Sequence, residues 1–372
     1  MLSKKRILWL DMARCFAIFS IILNHSIDRT LHISNSIISF LLGNFSLDAI
    51  FRVVLYVLSR LGVPIFLMIT GALTLSKKFE TWEDVLHFYK HNLLKIFITS
   101  ELWILIMYWI IVLFKVPGYE PISKFSSQLI WMVRTLLFDS TYTYGNIWYI
   151  PVILSIYTII PLVAIFIHKF SVKAMFLPIS LLLLYGYLLP NVNHVFLVLG
   201  FETGLGIGMD TSNILSIYFP YLVFGYLIYE GFLKRLKRFW LYFLTIFFWI
   251  IAIFLTFSYE KVDSHYNFGY YDSDIMLLAL FSFEIIRRWG SRLESKHPAQ
   301  QWEMIAYISK VSFAIYFIHI IVMEAIHFQL GDITPFAYIN LLIYHFVPIF
   351  VSLVVIRLLS LLAWTKKYLV ML

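Results

Sequence analysis

Residues 147–167 read IWYIPVILSIYTIIPLVAIFI, with no charged side chain anywhere in the run. As an α-helix rising ~1.5 Å per residue, this segment is about 31 Å long, which matches the hydrocarbon core of a bilayer. Backbone N–H and C=O groups cannot be left unpaired in lipid, so an apolar run of this length is read as a transmembrane helix. The same reading applies along the chain to ten segments: about 7–27, 53–75, 93–114, 147–167, 174–190, 213–230, 239–258, 273–289, 304–324 and 338–362.

Composition agrees with that count. Of 372 residues 61% are hydrophobic, about 227 positions, and 13% are charged. Ten spans of roughly 20 residues would use about 200 positions. Soluble domains carry about 25% charged residues, so these few charges cannot cover a water-facing surface and a soluble enzyme is excluded. Only 15 Gly and 11 Pro, with 19% aromatic residues, exclude a fibrous or disordered chain. A transmembrane barrel would show short alternating segments, not long unbroken runs. The expected fold is all-α: a polytopic integral membrane helix bundle of about ten transmembrane helices, forming a single membrane-embedded domain over 1–372.

The formal charge of +8 is first a topology signal. With the N-terminus in the cytoplasm, 20 of the 29 basic residues fall on inside segments. They include Lys4, Lys5 and Arg6, the Lys234–Arg238 cluster, and Lys366 with Lys367. The outside loops carry Arg29, Lys115, Lys124, Arg134 and Lys261, and four arginines lie within or beside spans. This asymmetry predicts both termini in the cytoplasm. Asp11 and Arg14 interrupt the first apolar run and no small-residue cleavage site follows, so it is read as a retained span and not a signal peptide. The single cysteine, Cys15, permits no intramolecular disulfide. Two outside loops, about 28–52 and 115–146, are long enough to suggest function. No internal repeat is visible, so an inverted-repeat transporter has no support.

An ionisable group inside a span is a functional hypothesis by default. Arg14 and His25 are eleven residues apart, which is 1100° of helical rotation and brings them to one face, roughly 16 Å apart along the axis. Asp11, three residues before Arg14, can pair with it. The alternative is a snorkelling Arg14 and an interfacial His25. Arg60 lies roughly 25 Å from the inner edge, with Pro64 loosening the helix beside it; the alternative there is again a snorkelling arginine. Ser309, Ser312, Tyr316 and His319 recur at steps of 3, 4 and 3, one polar stripe on an apolar helix. Interhelical hydrogen bonding is its structural explanation.

Glu284 is explained by a local pair with Arg287 and Arg288. Glu101 has no obvious local partner, while Glu324 and His345 lie near the outer surface. The Gly200–Gly208 run lacks the strand-to-helix context and Lys-Ser/Thr ending of a phosphate loop. His87 and His91 are spaced as metal ligands but lack a third, so no metal site is expected.

At these residues the chain resembles membrane-bound acyltransferase family 3, which includes O-acetyltransferases of O-antigen and enterobacterial common antigen. The family's arginine followed by ten residues and a histidine is matched by Arg14 and His25, with Asp11 also fitting. Its R-x-x-x-P-L-F-F-M-I-S-G segment is similar to Arg60 through Gly71, with Thr70 for Ser. Its H-L-W-F element leading to Y-x-x-x-P is met by Asn146-Ile147-Trp148-Tyr149 and by Tyr157 to Pro161, with Asn146 where His is frequent. Tyr221 to Tyr226 resembles Y-x-L-x-G-Y. Ser312 to His319 resembles S-x-G-I-Y-x-x-H, with Ala314 for Gly. A cytoplasmic Arg/Lys-x-Arg element is echoed only loosely by Lys90-His91-Asn92.

The resemblance implies transfer of an acyl group, acetyl from cytoplasmic acetyl-CoA, to a hydroxyl of a cell-surface polysaccharide or its lipid-linked precursor, in the bacterial inner membrane. It implies His25, Arg14 and Arg60 as catalytic residues. Asp11, Trp148, Tyr149, Ser312, Tyr316 and His319 are expected to bind substrate. No permanently bound cofactor and no nucleic acid partner are expected; acetyl-CoA, the glycan acceptor and the bilayer are the expected partners. The competing reading is a glycan or small-molecule exporter without covalent chemistry, which predicts no CoA dependence and no modified sugar.

Overall fold

The computed structural model describes residues 6–31, 46–114, 125–138, 145–201, 216–262, 270, 272–296 and 302–371. Among them the regular structure is entirely helical. The run Gly204–Gly208, the ends of the 115–146 loop, and Lys4, Lys5 and Lys115 lie outside the described residues, as does the side chain of Asn146.

All ten apolar segments contain helix. Among the described residues, eight helical stretches are long and apolar enough to cross a membrane. They include α1 (Leu8–Thr30) and the broken pair α2 (Leu47–Ser59) and α3 (Gly62–Thr74). Next, α4 (Trp82–Phe88) runs through a π-helical turn at Tyr89–Leu93 into α5 (Leu94–Phe114). A short helix, α6 (Phe125–Leu136), precedes α7 (Tyr149–Phe170). Then α8 (Phe176–Leu182), a second π-helical turn and α9 (Leu189–Val198) form one span. The chain continues with α10 (Phe219–Tyr229), α11 (Arg238–Val262), α12 (Ser273–Lys296), α13 (Glu303–Leu330), α14 (Ala337–Leu359) and α15 (Ala363–Tyr368).

Two of the ten expected spans are not among these eight. Helix α10 has 11 residues. Helix α12 has 24, but it carries Asp274, Glu284, Arg287 and Arg288. A further difference is α6, which occupies the middle of a segment read as a loop and packs on α5. Its exposed Leu129, Ile130 and Val133, with Leu137 just past its end, lie at helical spacing and form one apolar face.

The surface is inverted relative to a soluble protein. On α11, Phe239, Phe243, Ile246, Ile250 and Phe254 are exposed at helical spacing, and on α14 so are Leu342, Phe346, Phe350, Val354 and Leu358. Thr256 and Ser352, on the same two helices, are buried. Lipid tails reward no burial of apolar groups, so an apolar stripe outward and small or polar groups inward is the arrangement a bilayer selects. These features describe an all-α, multi-pass membrane architecture.

Contacts cluster in two compact units, residues 1–78 with 166–309, and residues 79–165 with 310–372. In the first unit, α1 packs on α3 and α12, α3 on α10, and α11 on α12 and α2. The α3–α10 contact is backbone to backbone. A Cβ on Gly71 would collide with the Leu222 carbonyl, and one on Gly225 with the Met68 carbonyl, so the two glycines are reciprocal. Glu284 is fully buried and takes Arg287 at 2.7 Å and Arg288 at 2.6 Å, and Arg288 also reaches the Leu233 and Leu236 carbonyls. The local pairing expected of Glu284 is therefore present and also ties α12 to the turn before α11.

In the second unit, Trp103 of α5 stacks on Phe317 at 5.8 Å and donates to the Leu369 carbonyl at 3.0 Å, which anchors the chain's last turn. Tyr89, in the π-helical turn, donates to the Thr158 carbonyl of α7 at 2.7 Å. A cavity of about 560 Å³ opens beside this contact, bordered by Lys90, Phe97, Phe138 and Leu154. None of the residues expected to bind substrate lines it.

Candidate active site

The residues singled out in the sequence fall into two groups, one in each unit.

In the first unit, the start of α1 is clamped. Arg6 makes a bidentate pair with Asp11 at 2.8 and 3.0 Å, and Ser309 donates to the same carboxylate at 2.6 Å. Asp11 holds the Arg6 guanidinium above the ordinary arginine range, chiefly through that hydrogen bond. Arg6 also reaches the Ala306 carbonyl, and Cys15 the Ile305 carbonyl. Asp11 therefore joins α1 to the first turns of α13. Arg14 and His25 are both half-buried on α1. The continuous helix from Leu8 to Thr30 keeps them on the common face their spacing requires.

The C-terminal half of that face leads to Arg60. Asp28, three residues beyond His25, shares its face, and its carboxylate acts electrostatically on Arg60. Asn24 links the same region: its amide donates to Asp28 at 3.4 Å, and its carbonyl accepts from Ser59 at 3.1 Å. Arg60 occupies the break between α2 and α3. Proline at position 64 has no N–H for the Arg60 carbonyl, and its ring clashes with that carbonyl. The ladder resumes one residue later, with Ile65 donating to Leu61 at 3.1 Å. The bend turns the guanidinium between two tyrosines. It donates to the Tyr56 hydroxyl at 2.7 Å and the Tyr270 hydroxyl at 3.4 Å. Its Cζ stands 4.8 and 5.1 Å from the two ring centroids. Cation–π contacts of this kind are worth about 0.5–2 kcal/mol each, more as water is excluded.

In the second unit, a 3₁₀ turn (Gly145–Trp148) delivers Trp148 and Tyr149 to the start of α7. Tyr149 meets Tyr316 of α13 at 6.1 Å between rings, and Tyr316 meets His319 at the same distance. Ser312, Tyr316 and His319 are all buried, so the polar stripe faces protein. His319 Nδ1 lies 2.9 Å from the Ile315 carbonyl. A carbonyl can only accept, so Nδ1 carries the proton and Nε2 the lone pair in the neutral ring.

Reading the sequence missed Tyr56, Asp28, Asn24, Ser59 and Tyr270. Tyr56 is one helical turn before Arg60 and Asp28 nearly one turn after His25, so helical spacing could have found both. Tyr270 is 210 residues from Arg60 and had no local signal. Among the described residues, no group of three or more His, Cys, Asp or Glu side chains could hold a metal ion.

Chemically, the first group joins an imidazole-bearing face to a fixed, planar cation with donors suited to an oxyanion. The second offers aromatic rings and a histidine of defined tautomer. No curated protein and no solved structure matches the chain. A family model described as an acyltransferase domain, of acyltransferase family 3, matches residues 7–362, nearly the whole length. The chain is thus a multi-pass membrane protein that belongs to acyltransferase family 3.

Proposed function

We propose that this acyltransferase moves an acetyl group from acetyl-CoA to a hydroxyl of a cell-surface polysaccharide or its lipid-linked precursor. The observation that carries this reading is the Arg60 guanidinium, held inside a membrane-spanning unit by Tyr56 and Tyr270, beside the helix that carries His25. A merely snorkelling arginine would extend to water; this one is clasped by aromatic rings.

His25 takes the hydroxyl proton, since a neutral imidazole is a competent base near neutral pH. The sugar oxygen then attacks the thioester carbonyl. The carbonyl electron pair moves onto oxygen, where Arg60 stabilises it. The pair returns, the C–S bond breaks, and the CoA thiolate leaves with the proton from His25. Arg14, lower on the same face, lies between that centre and a cytoplasmic donor. The orientation comes from the basic-residue asymmetry, which puts both termini inside and Arg60 toward the outer side. Tyr149, Tyr316 and His319, with Trp148 and Ser312, are assigned to substrate contact, because aromatic rings suit a sugar's apolar face. The family match favours this chemistry over transport.

The test is a mass comparison of surface glycans from cells with and without the gene. Glycan heavier by one acetyl mass per modified unit, only when the gene is present, is the expected result. Identical glycans would reject the acceptor class.

A further inference from the structure

We infer that Tyr270 and Tyr221 are positioning residues for Arg60: the Tyr221 hydroxyl anchors the Tyr270 backbone, and Tyr270 holds the guanidinium. This inference rests on the proposal that Arg60 serves acyl transfer.

Tyr56 is one turn from Arg60 on the same helix, so it moves with the arginine and cannot set its position relative to other elements. Tyr270 comes from a distant part of the chain, contributing both a hydroxyl and a ring face. What fixes Tyr270 is its own carbonyl, which accepts a hydrogen bond from the Tyr221 hydroxyl. Tyr221 is fully buried, and its ring has no room to follow a shift of its partner. It belongs to α10, whose Gly225, one turn further on, meets α3 backbone to backbone. Helix α3 begins at Gly62, two residues after Arg60. The arrangement is a closed loop of contacts within one unit: Arg60, α3, α10, Tyr221, Tyr270 and back to the guanidinium. A flexible side chain is thereby held at one position, as preorganised stabilisation of an oxyanion requires.

The full-length protein in membranes tests this in two ways. Labelled acetyl-CoA supplied to these membranes reports the rate of acetyl incorporation into their glycan. Phenylglyoxal followed by peptide mass spectrometry reports how fast Arg60 is modified, independently of activity, with Arg134 as the internal control. Tyr221→Phe should lower the maximal rate about tenfold, the effect of one hydrogen bond acting through a neighbour, at unchanged KM for acetyl-CoA. It should also speed Arg60 modification several-fold without changing Arg134. Added to Arg60→Ala, Tyr221→Phe should cost nothing more, because its effect passes through the arginine. Tyr270→Ala should give the same pattern, and it decides the matter if Tyr221→Phe fails to reach the membrane. Unchanged Arg60 modification in the tyrosine variants, or losses that multiply with Arg60→Ala, would overturn the inference. If the wild type itself incorporates no acetyl, the transfer proposal fails while the phenylglyoxal result still decides the positioning.

Discussion

Arg60 shows how one residue position concentrates sequence, backbone and chemistry. Pro64 ends α2 there, Tyr56 and Tyr270 take the guanidinium, and Asp28 supplies opposite charge nearby. Lysine would keep the charge and lose both the planar fork and the ring stacking. Arg60→Lys is therefore expected to lower acetyl incorporation roughly 100-fold, the scale of one lost oxyanion donor. Protein level in the membrane, checked by immunoblot, should stay at wild type. Full activity in Arg60→Ala would make the residue structural. Arg60 was legible in the sequence because a cation in an apolar run is costly and stands out. Its partner Tyr270 was not, since a tyrosine after a polar loop is unremarkable until the fold brings it back. Asp11 is a different case. In the structure its carboxylate takes Arg6 and Ser309, partners to which helical spacing did not point.

Among the elements, α3 and α10 bear the tightest packing. Both glycines of the contact lie in segments that the family resemblance had marked, and their role is close approach. Gly71→Ala or Gly225→Ala forces backbones apart and is expected to cost about 1–3 kcal/mol. A lower melting temperature of the detergent-solubilised protein would register it, and an unchanged one would contradict the packing account. In the middle of α12, Glu284→Gln leaves Arg287 and Arg288 without their buried counter-charge. A loss of about 3–5 kcal/mol is expected on breaking such a pair, read by the same melting measurement. A helix in each of the ten apolar runs was legible, and the α2–α3 break from Pro64. Helix α6 was hidden because its apolar face faces outward and is diluted by Ser126, Ser127, Gln128 and Arg134. The early start at Trp82 was hidden too, although the Thr81–Asp84 capping box announces it.

For the whole molecule, the alternation of basic residues predicts orientation. Reporter fusions after residue 210 should report outside and after residue 234 inside; the reverse would overturn the placement of donor and acceptor. Multi-pass helical architecture was legible because lipid permits few alternatives. The division of contacts into two units was not, because it depends on which helices meet, and periodicity says nothing of that. The central claim is that His25 moves a proton during acyl transfer. Glutamine can replace a histidine's hydrogen bonds but takes up no proton at neutral pH. The most direct test is the acetyl content of surface glycan in cells whose only copy is His25→Gln, measured by mass spectrometry at matched protein level. Loss of the acetyl group is the predicted result, and acetylation at the wild-type level would contradict the account.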